Sequence, residues 1–184
     1  MDFNYNKTVA ICFYVLMVLT AIFFFGGEAF RKEYNERIDI TINKRDIDLV
    51  KQEIDVSVGQ ASNMLVVMKR SDVFSDREID DFEGIIERTR NNLDDFYYRF
   101  RSYENMMEMA RKLHNNNSAY LAPEERALMA YAIDNITASE RVIRRSDYHA
   151  KVLSLNANYN NFLINMICRV RGINLLPTFT ATAV

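Results

Sequence analysis

Apolar residues are distributed along this chain in two different ways. Residues 8–27 carry no charged side chain at all. Beyond residue 27, apolar residues recur every three or four positions among charged ones, which is the spacing of one face of an α-helix. The pattern therefore predicts one uniformly apolar helix followed by long amphipathic helices.

The first amphipathic segment covers residues 28–70. Its apolar positions recur at seven-residue intervals: Ile40, Ile47, Ile54, Ala61 and Met68. No proline interrupts this segment, and nothing at Gly26 or Gly27 forces a turn. We expect its helix to continue from the apolar segment without a break.

The second segment begins at Ser75, where Ser75 and Glu78 have the spacing of a capping box at a helix start. An apolar series follows in alternating steps of three and four, and the asparagine-rich run 115–118 should end the helix. The regularity predicts packing in a helical bundle. The series is Ile79, Phe82, Ile86, Thr89, Leu93, Phe96, Phe100, Tyr103, Met107 and Ala110.

The third segment begins at Pro123, which suits the first turn of a helix, and can run unbroken to residue 171 before Gly172. The expected fold class is all-α: a transmembrane helix continuous with an antiparallel bundle of three long helices, or four. If the third helix is unbroken, the uncharged tail 173–184 lies far from the bilayer. A break near Asn135 would return the tail to the membrane.

The amino-acid composition excludes several classes of fold and of partner. The chain of 184 residues has only 5 Gly and 2 Pro, too few for the regular turns of an all-β fold. Its two cysteines cannot form a disulfide framework, and a net charge of −2 argues against a nucleic-acid partner.

The uncharged segment is long enough to cross a membrane, because twenty helical residues span about 30 Å. A cleaved signal peptide is the alternative, with a small-residue site at Gly27 and Ala29, but its apolar core would be shorter. We therefore expect a tail 1–7, an anchor 8–27 in the lipid bilayer and a bundle 28–184. Representative span residues are Thr8, Phe13, Leu16, Leu19, Phe23, Phe25 and Gly27.

The basic residues beside the span predict its orientation. Lys7 alone precedes it, whereas five basic residues follow: Arg31, Lys32, Arg37, Lys44 and Arg45. The positive-inside rule then places the bundle on the cytoplasmic side of the cell (inner) membrane.

The sequence offers little for catalysis or metal binding. His114 and His149 have no ligand spacing to another histidine or cysteine, and no glycine-rich phosphate loop occurs. Arg141, Arg144 and Arg145 form a basic cluster for which ion pairing with neighbouring helices is favoured over phosphate or lipid binding. We expect no catalytic residue, no cofactor and no metal site.

The end of the third segment resembles the carboxy-terminal part of the bacterial LemA family. The positions that carry the resemblance are Arg145, Tyr148, Val152, Leu155, Asn156, Tyr159, Phe162, Asn165, Pro177 and Phe179, with Tyr34 and Asn35 at the family's position near the membrane. His149, Leu155 and Leu163 depart from the family pattern, which marks a divergent member. The resemblance implies a membrane-anchored antiparallel bundle without an established enzymatic activity.

The repeated Tyr and Asn positions also have a physical interpretation. A tyrosine can bury its ring while its hydroxyl reaches a partner, and a buried asparagine can set helix register. We therefore expect the residues from Arg145 to Asn165 to set register within the bundle or between copies.

Two functions follow from these features. The first is a membrane-anchored scaffold that self-associates into a homo-oligomer, without catalytic activity. The second is a membrane-tethered adaptor or sensor that binds an unidentified protein partner through its distal tip and its tail, with Pro177 and Phe179 as the interface. An enzyme ranks third.

Overall fold

The computed structural model describes residues 3–92 and 95–179, with the backbone path alone at residues 3–6, 22 and 24. These ranges form α-helices and one short 3₁₀ turn at Ser118–Tyr120. The all-α fold class is confirmed. The helices are α1 Phe3–Thr41, α2 Lys44–Arg70, α3 Asp76–Asn91, α4 Phe96–Asn117, α5 Pro123–Arg145, α6 Asp147–Asn158 and α7 Phe162–Arg171.

The first segment contains a break that its heptad spacing does not show. As expected, α1 continues through Gly26 and Gly27, but it ends at Thr41 and α2 begins at Lys44. The Asn43 backbone N–H donates to the Asp46 carboxylate at 3.3 Å. The expectation of one helix to residue 70 is therefore wrong, because this local capping competes with helix continuation.

The second segment begins as predicted but is not one helix. The Ser75 N–H donates to Glu78 at 3.0 Å and the Glu78 N–H donates to the Ser75 hydroxyl at 3.3 Å, so the capping box is confirmed. However, α3 ends at Asn91 and α4 starts at Phe96. The Asp95 side chain caps α4 by accepting a hydrogen bond of 3.1 Å from the Tyr98 N–H. Residues 93 and 94, including Leu93 of the apolar series, lie outside the described residues.

The third segment is divided twice. Pro123 starts α5 and Gly172, with a φ of 61°, follows the end of α7, as predicted. The single helix 123–171 is wrong, since α5 ends before Ser146 and α7 begins after its cap Asn161. Neither break is near Asn135, which lies inside α5.

The contacts divide the chain into two compact units. The bundle unit comprises Ile42–Leu153 and Leu176–Val184, and the anchor unit comprises Met1–Thr41 and Ser154–Leu175. The helix α6 begins in the bundle unit and ends in the anchor unit.

The bundle unit is an antiparallel four-helix arrangement of α2 to α5. Lys69 pairs with Glu83 at 2.7 Å, and Ser62 accepts from Arg90, so residue numbers fall along α2 as they rise along α3. Short connections reverse the chain again between α3 and α4 and between α4 and α5. The buried core includes Val50, Ile54, Ala61, Met64, Phe82, Ile86, Phe100, Tyr103, Met106, Met129, Ile136 and Ile143.

The anchor unit consists of α1, the end of α6 and α7. The Tyr159 ring lies 5.3 Å from both the Phe30 and the Tyr34 rings, and Arg171 pairs with Glu28 at 2.5 Å. Ile167 of α7 lies beside Gly26 and Arg171 lies beside Gly27, so α7 crosses α1 at these two glycines. A Cβ placed on Gly27 would lie only 2.8 Å from Arg171 Cγ, so glycine permits this close approach.

Candidate functional site

Among the described residues, α1 is the helix that is long and apolar enough to cross a membrane. Within residues 7–41 it contains an 18-residue stretch of mean hydropathy 2.6, none of it buried. The side chains of Thr8, Phe13, Leu16, Leu19 and Phe25 are exposed, Phe23 is half-buried, and Gly27 is buried beside α7. Length, composition and exposure of α1 therefore fit a membrane span.

The register residues taken from the sequence do not share one environment. Tyr148, Val152, Leu155 and Tyr159 are buried, and Asn156 is half-buried. In contrast, Arg145, Phe162 and Asn165 are exposed, with the Asn165 side chain donating to Asn160 at 3.3 Å. The stripe is therefore an interior feature on α6 and an exterior one on α7.

Asn156 contacts α1 directly. Its side-chain oxygen accepts a hydrogen bond of 2.9 Å from the hydroxyl of Tyr34, whose side chain is 2% exposed. Tyr34 also belongs to an aromatic cluster with Phe30 and Tyr159. A polar pair surrounded by rings restricts how α6 can slide along α1, because a shifted register would separate donor from acceptor.

The tail residues Pro177 and Phe179 are not free for a partner in this structure. The Tyr148 hydroxyl donates to the Pro177 carbonyl at 2.8 Å, and Arg101 donates to the Thr178 carbonyl at 3.2 Å. The Phe179 ring is 5% exposed and lies 5.0 Å from the Phe100 ring. Residues 177–179 are therefore docked on the chain's own bundle unit, and residues 180–184 of the expected tail lie outside the described part.

A charged network holds this docking site in place. Glu140 pairs with Arg111 of α4 and, at 2.7 Å, with Arg144 of its own helix. The Arg144 guanidinium carbon lies 4.1 Å from the Phe179 ring centroid, a cation–π distance. The network therefore links α4, α5 and the tail.

The charges of this network alter the protonation of its neighbours. Burial alone would raise the pKa of Glu140, but hydrogen bonds and charge from Arg111 and Arg144 outweigh it and lower the pKa. Burial, and then the positive charge of Arg144, lower the pKa of His149, whose ring lies 5.9 Å from Phe179. All three arginines of the predicted basic cluster are exposed, and Arg144 is the one that takes part in this network.

Sequence reasoning did not single out the buried Arg99. Its guanidinium donates to the Thr89 backbone carbonyl at 3.2 Å and pairs with Asp55 of α2. Arg99 thereby links α4 to the last turn of α3 and to α2. Its signal in the sequence is its position three residues after Phe96 and four before Tyr103, on the apolar face of α4, where a cation is unexpected.

One surface of the bundle unit remains apolar and exposed. On α5, Leu128 (58% exposed), Tyr131 (64%) and Val142 point away from Glu140, which marks the side facing α4. Among the described residues, the α-helices that pack on α5 are α2 and α4, so these three residues lie on the side of α5 turned away from α4. On α2, Leu49 and Val56 are exposed on the same side of the helix as Asp46. The Asp46 carboxylate pairs with Lys151 of α6 at 2.7 Å. We call these five residues the α2/α5 outer face.

No family model, no curated protein and no solved structure matches the chain. The resemblance to the LemA family therefore rests on the residues quoted above.

Proposed function

We propose that this protein is a single-pass membrane protein whose bundle unit self-associates into a homo-oligomeric scaffold, as a divergent LemA-like protein without a catalytic step. The α2/α5 outer face is the observation that carries the proposal. It places Leu49, Val56, Leu128, Tyr131 and Val142 in solvent on two helices that pack extensively on each other. Exposed apolar side chains grouped on one surface are typical of protein interfaces.

The spacing on this face favours another helix of the same kind as the occupant. Leu49, Val56 and the exposed Asn63 follow one another at seven-residue intervals on α2. On α5, Leu128, Asn135 and Val142 have the same interval, and both series place an asparagine among apolar side chains. Heptad spacing with one polar position is the pattern of helices that pair in register.

A membrane anchor would strengthen such self-association. Tethering confines the bundle units near one plane and orients them alike, so their effective concentration rises without any new contact. The basic residues after α1's apolar stretch support a cytoplasmic position for the bundle, through the positive-inside rule. Weak lateral contacts of the α2/α5 outer face would then be sufficient for assembly.

The test is the mass of the assembly in native mass spectrometry of the full chain in detergent. Tyr131→Glu places a charge on the face and should reduce the oligomer to smaller species. Tyr98→Glu is the matched control, because Tyr98 is 53% exposed on α4 and should leave the mass unchanged. A wild-type protein that is monomeric in detergent and in nanodiscs would overturn the scaffold.

The alternative is the membrane-tethered adaptor acting through its tip and tail. Its tail would first have to leave the bundle, because Pro177 and Phe179 are buried there. A monomeric protein whose tail is released on binding another protein would support the adaptor. We favour the scaffold because its surface is already exposed.

A further inference from the structure

The helix α7 has an apolar face that nothing in the described part of its unit covers. Phe162 is 81% exposed, Leu163 and Val170 are more than half exposed, and Met166 lies between them on the same face. Successive residues turn by about 100°, so these four occupy an arc of about 100°. The adjoining side, with the buried Ile167 and the partly buried Arg171, packs towards α1.

The position of α7 along α1 coincides with the end of the apolar stretch. A Cβ on Gly26 would lie 3.8 Å from Ile167 Cδ1, and Phe30 contacts Tyr159 just before α7 begins. Gly26 and Phe30 are four residues apart on α1, which is a rise of about 6 Å. This rise is similar to the thickness of the headgroup layer, about 5–7 Å on each side of a bilayer. If residues 8–27 span the hydrocarbon, α7 lies at headgroup depth.

The borders of the apolar face carry groups that suit lipid headgroups. Phe162, Asn165, Met166 and Arg169 line a shallow open groove, so apolar and polar side chains face it together. Arg169 is exposed and has no carboxylate partner among residues 3–92 and 95–179. Interfacial helices combine such an apolar face with a cationic border that meets lipid phosphates.

We infer that α7 is a second membrane contact: its Phe162, Leu163, Met166 and Val170 face enters the boundary between headgroups and acyl chains, and Arg169 binds lipid phosphate. This inference rests on the proposed membrane span. A lipid surface is favoured over a second copy because the face adjoins the end of the span, where lipid would already surround α1. Two elements would then fix the depth of the protein in the membrane: α1 crosses the bilayer, and α7 lies along its surface.

The absence of tryptophan from the chain allows a direct test. Three full-length variants each receive one tryptophan: Phe162→Trp on α7, Met17→Trp in the span and Tyr98→Trp on α4. Each is reconstituted into vesicles of phosphatidylcholine and phosphatidylglycerol with brominated acyl chains, which quench nearby tryptophan. Phe162→Trp and Met17→Trp should lose most of their emission, whereas Tyr98→Trp should keep it.

The outcomes separate the two proposals. Quenching of Met17→Trp but not of Phe162→Trp would overturn the α7 inference and leave the span intact. If neither Met17→Trp nor Phe162→Trp were quenched, the proposed membrane span of α1 would be overturned as well. A blue-shifted but unquenched Phe162→Trp would show a protein contact, such as a second copy, and would also overturn lipid binding.

The role of Arg169 has its own test in the same system. In the Phe162→Trp background, quenching should be greater with phosphatidylglycerol than with phosphatidylcholine alone, because Arg169 is attracted to an anionic surface. Arg169→Gln should remove that difference while far-ultraviolet circular dichroism stays unchanged. An undiminished difference would remove Arg169 from the lipid contact.

Discussion

The hydroxyl of Tyr34 donates a 2.9 Å hydrogen bond to the side-chain oxygen of Asn156, joining positions 122 residues apart. The pair fixes the end of α6 against α1 within a cluster of aromatic rings. The sequence predicts that Asn156 sets helix register, and the structure shows that its hydrogen-bonding partner is Tyr34. The sequence alone did not identify this partner.

Replacing Asn156 with leucine removes this acceptor from a nearly buried hydroxyl. We expect a loss of about 1–3 kcal/mol in unfolding free energy and a change in helix register or assembly size. Thermal unfolding and native mass spectrometry in detergent measure the two effects. Asn158→Leu, at an exposed position of the same helix, is the control. If Asn156→Leu leaves the assembly unchanged, Asn156 has no role in setting its register.

Truncating Phe179 to alanine should detach the tail from the bundle unit. The ring is buried among aromatic side chains and beneath Arg144, so its loss should cost about 3 kcal/mol. A lower thermal midpoint and faster proteolysis of the tail are the readouts. Thr178→Ala keeps the backbone carbonyl that accepts from Arg101 and should behave as wild type. Equal midpoints for the two variants would contradict the docking role of Phe179.

Glu140 should make stability depend on pH in a defined direction. Arg111 and Arg144 lower its pKa in the folded protein, so the unfolded chain binds its proton more readily. The contribution of Glu140 is then present above its unfolded pKa and is lost as the pH falls through its folded pKa. Denaturant midpoints at about pH 7 and about pH 3, on either side of the unfolded carboxyl pKa of about 4.3, measure this loss.

Glu140→Gln should lower the midpoint at neutral pH and flatten its dependence on pH. Glu87→Gln is the control, since Glu87 pairs with Arg90 on an exposed surface where ion pairs contribute little. A Glu140→Gln protein with the full wild-type pH dependence would show that another group is responsible.

The close crossing of α1 and α7 predicts that Gly27 tolerates no branched side chain. Gly27→Val would bring a Cβ within 2.8 Å of Arg171 Cγ and should push α7 away. In a Cys12→Ser background, the remaining thiol, Cys168 on α7, should then react faster with a thiol reagent. Gly26→Ala is the control, because its Cβ would make an ordinary 3.8 Å contact with Ile167. Unchanged reactivity in Gly27→Val would argue against this crossing.

The sequence by itself determined the features that depend on near neighbours. Apolar periodicity identified the helical class, Ser75 with Glu78 and Pro123 located two helix starts, and Gly172 located an end. These signals are local, since caps and helix faces involve residues a few positions apart. The uncharged stretch of α1 was equally visible, because hydropathy requires no tertiary information.

Only the tertiary structure decided where the long segments break and what the broken pieces contact. A helix pattern continues through a break when the residues on both sides still face a core, as Ile86 and Phe100 do across the join at residues 92–95. The docking of Phe179 beside Arg144 and the return of α7 to Gly27 join residues far apart in the chain. Such contacts depend on the path of the intervening helices, and no periodicity in a single sequence encodes that path.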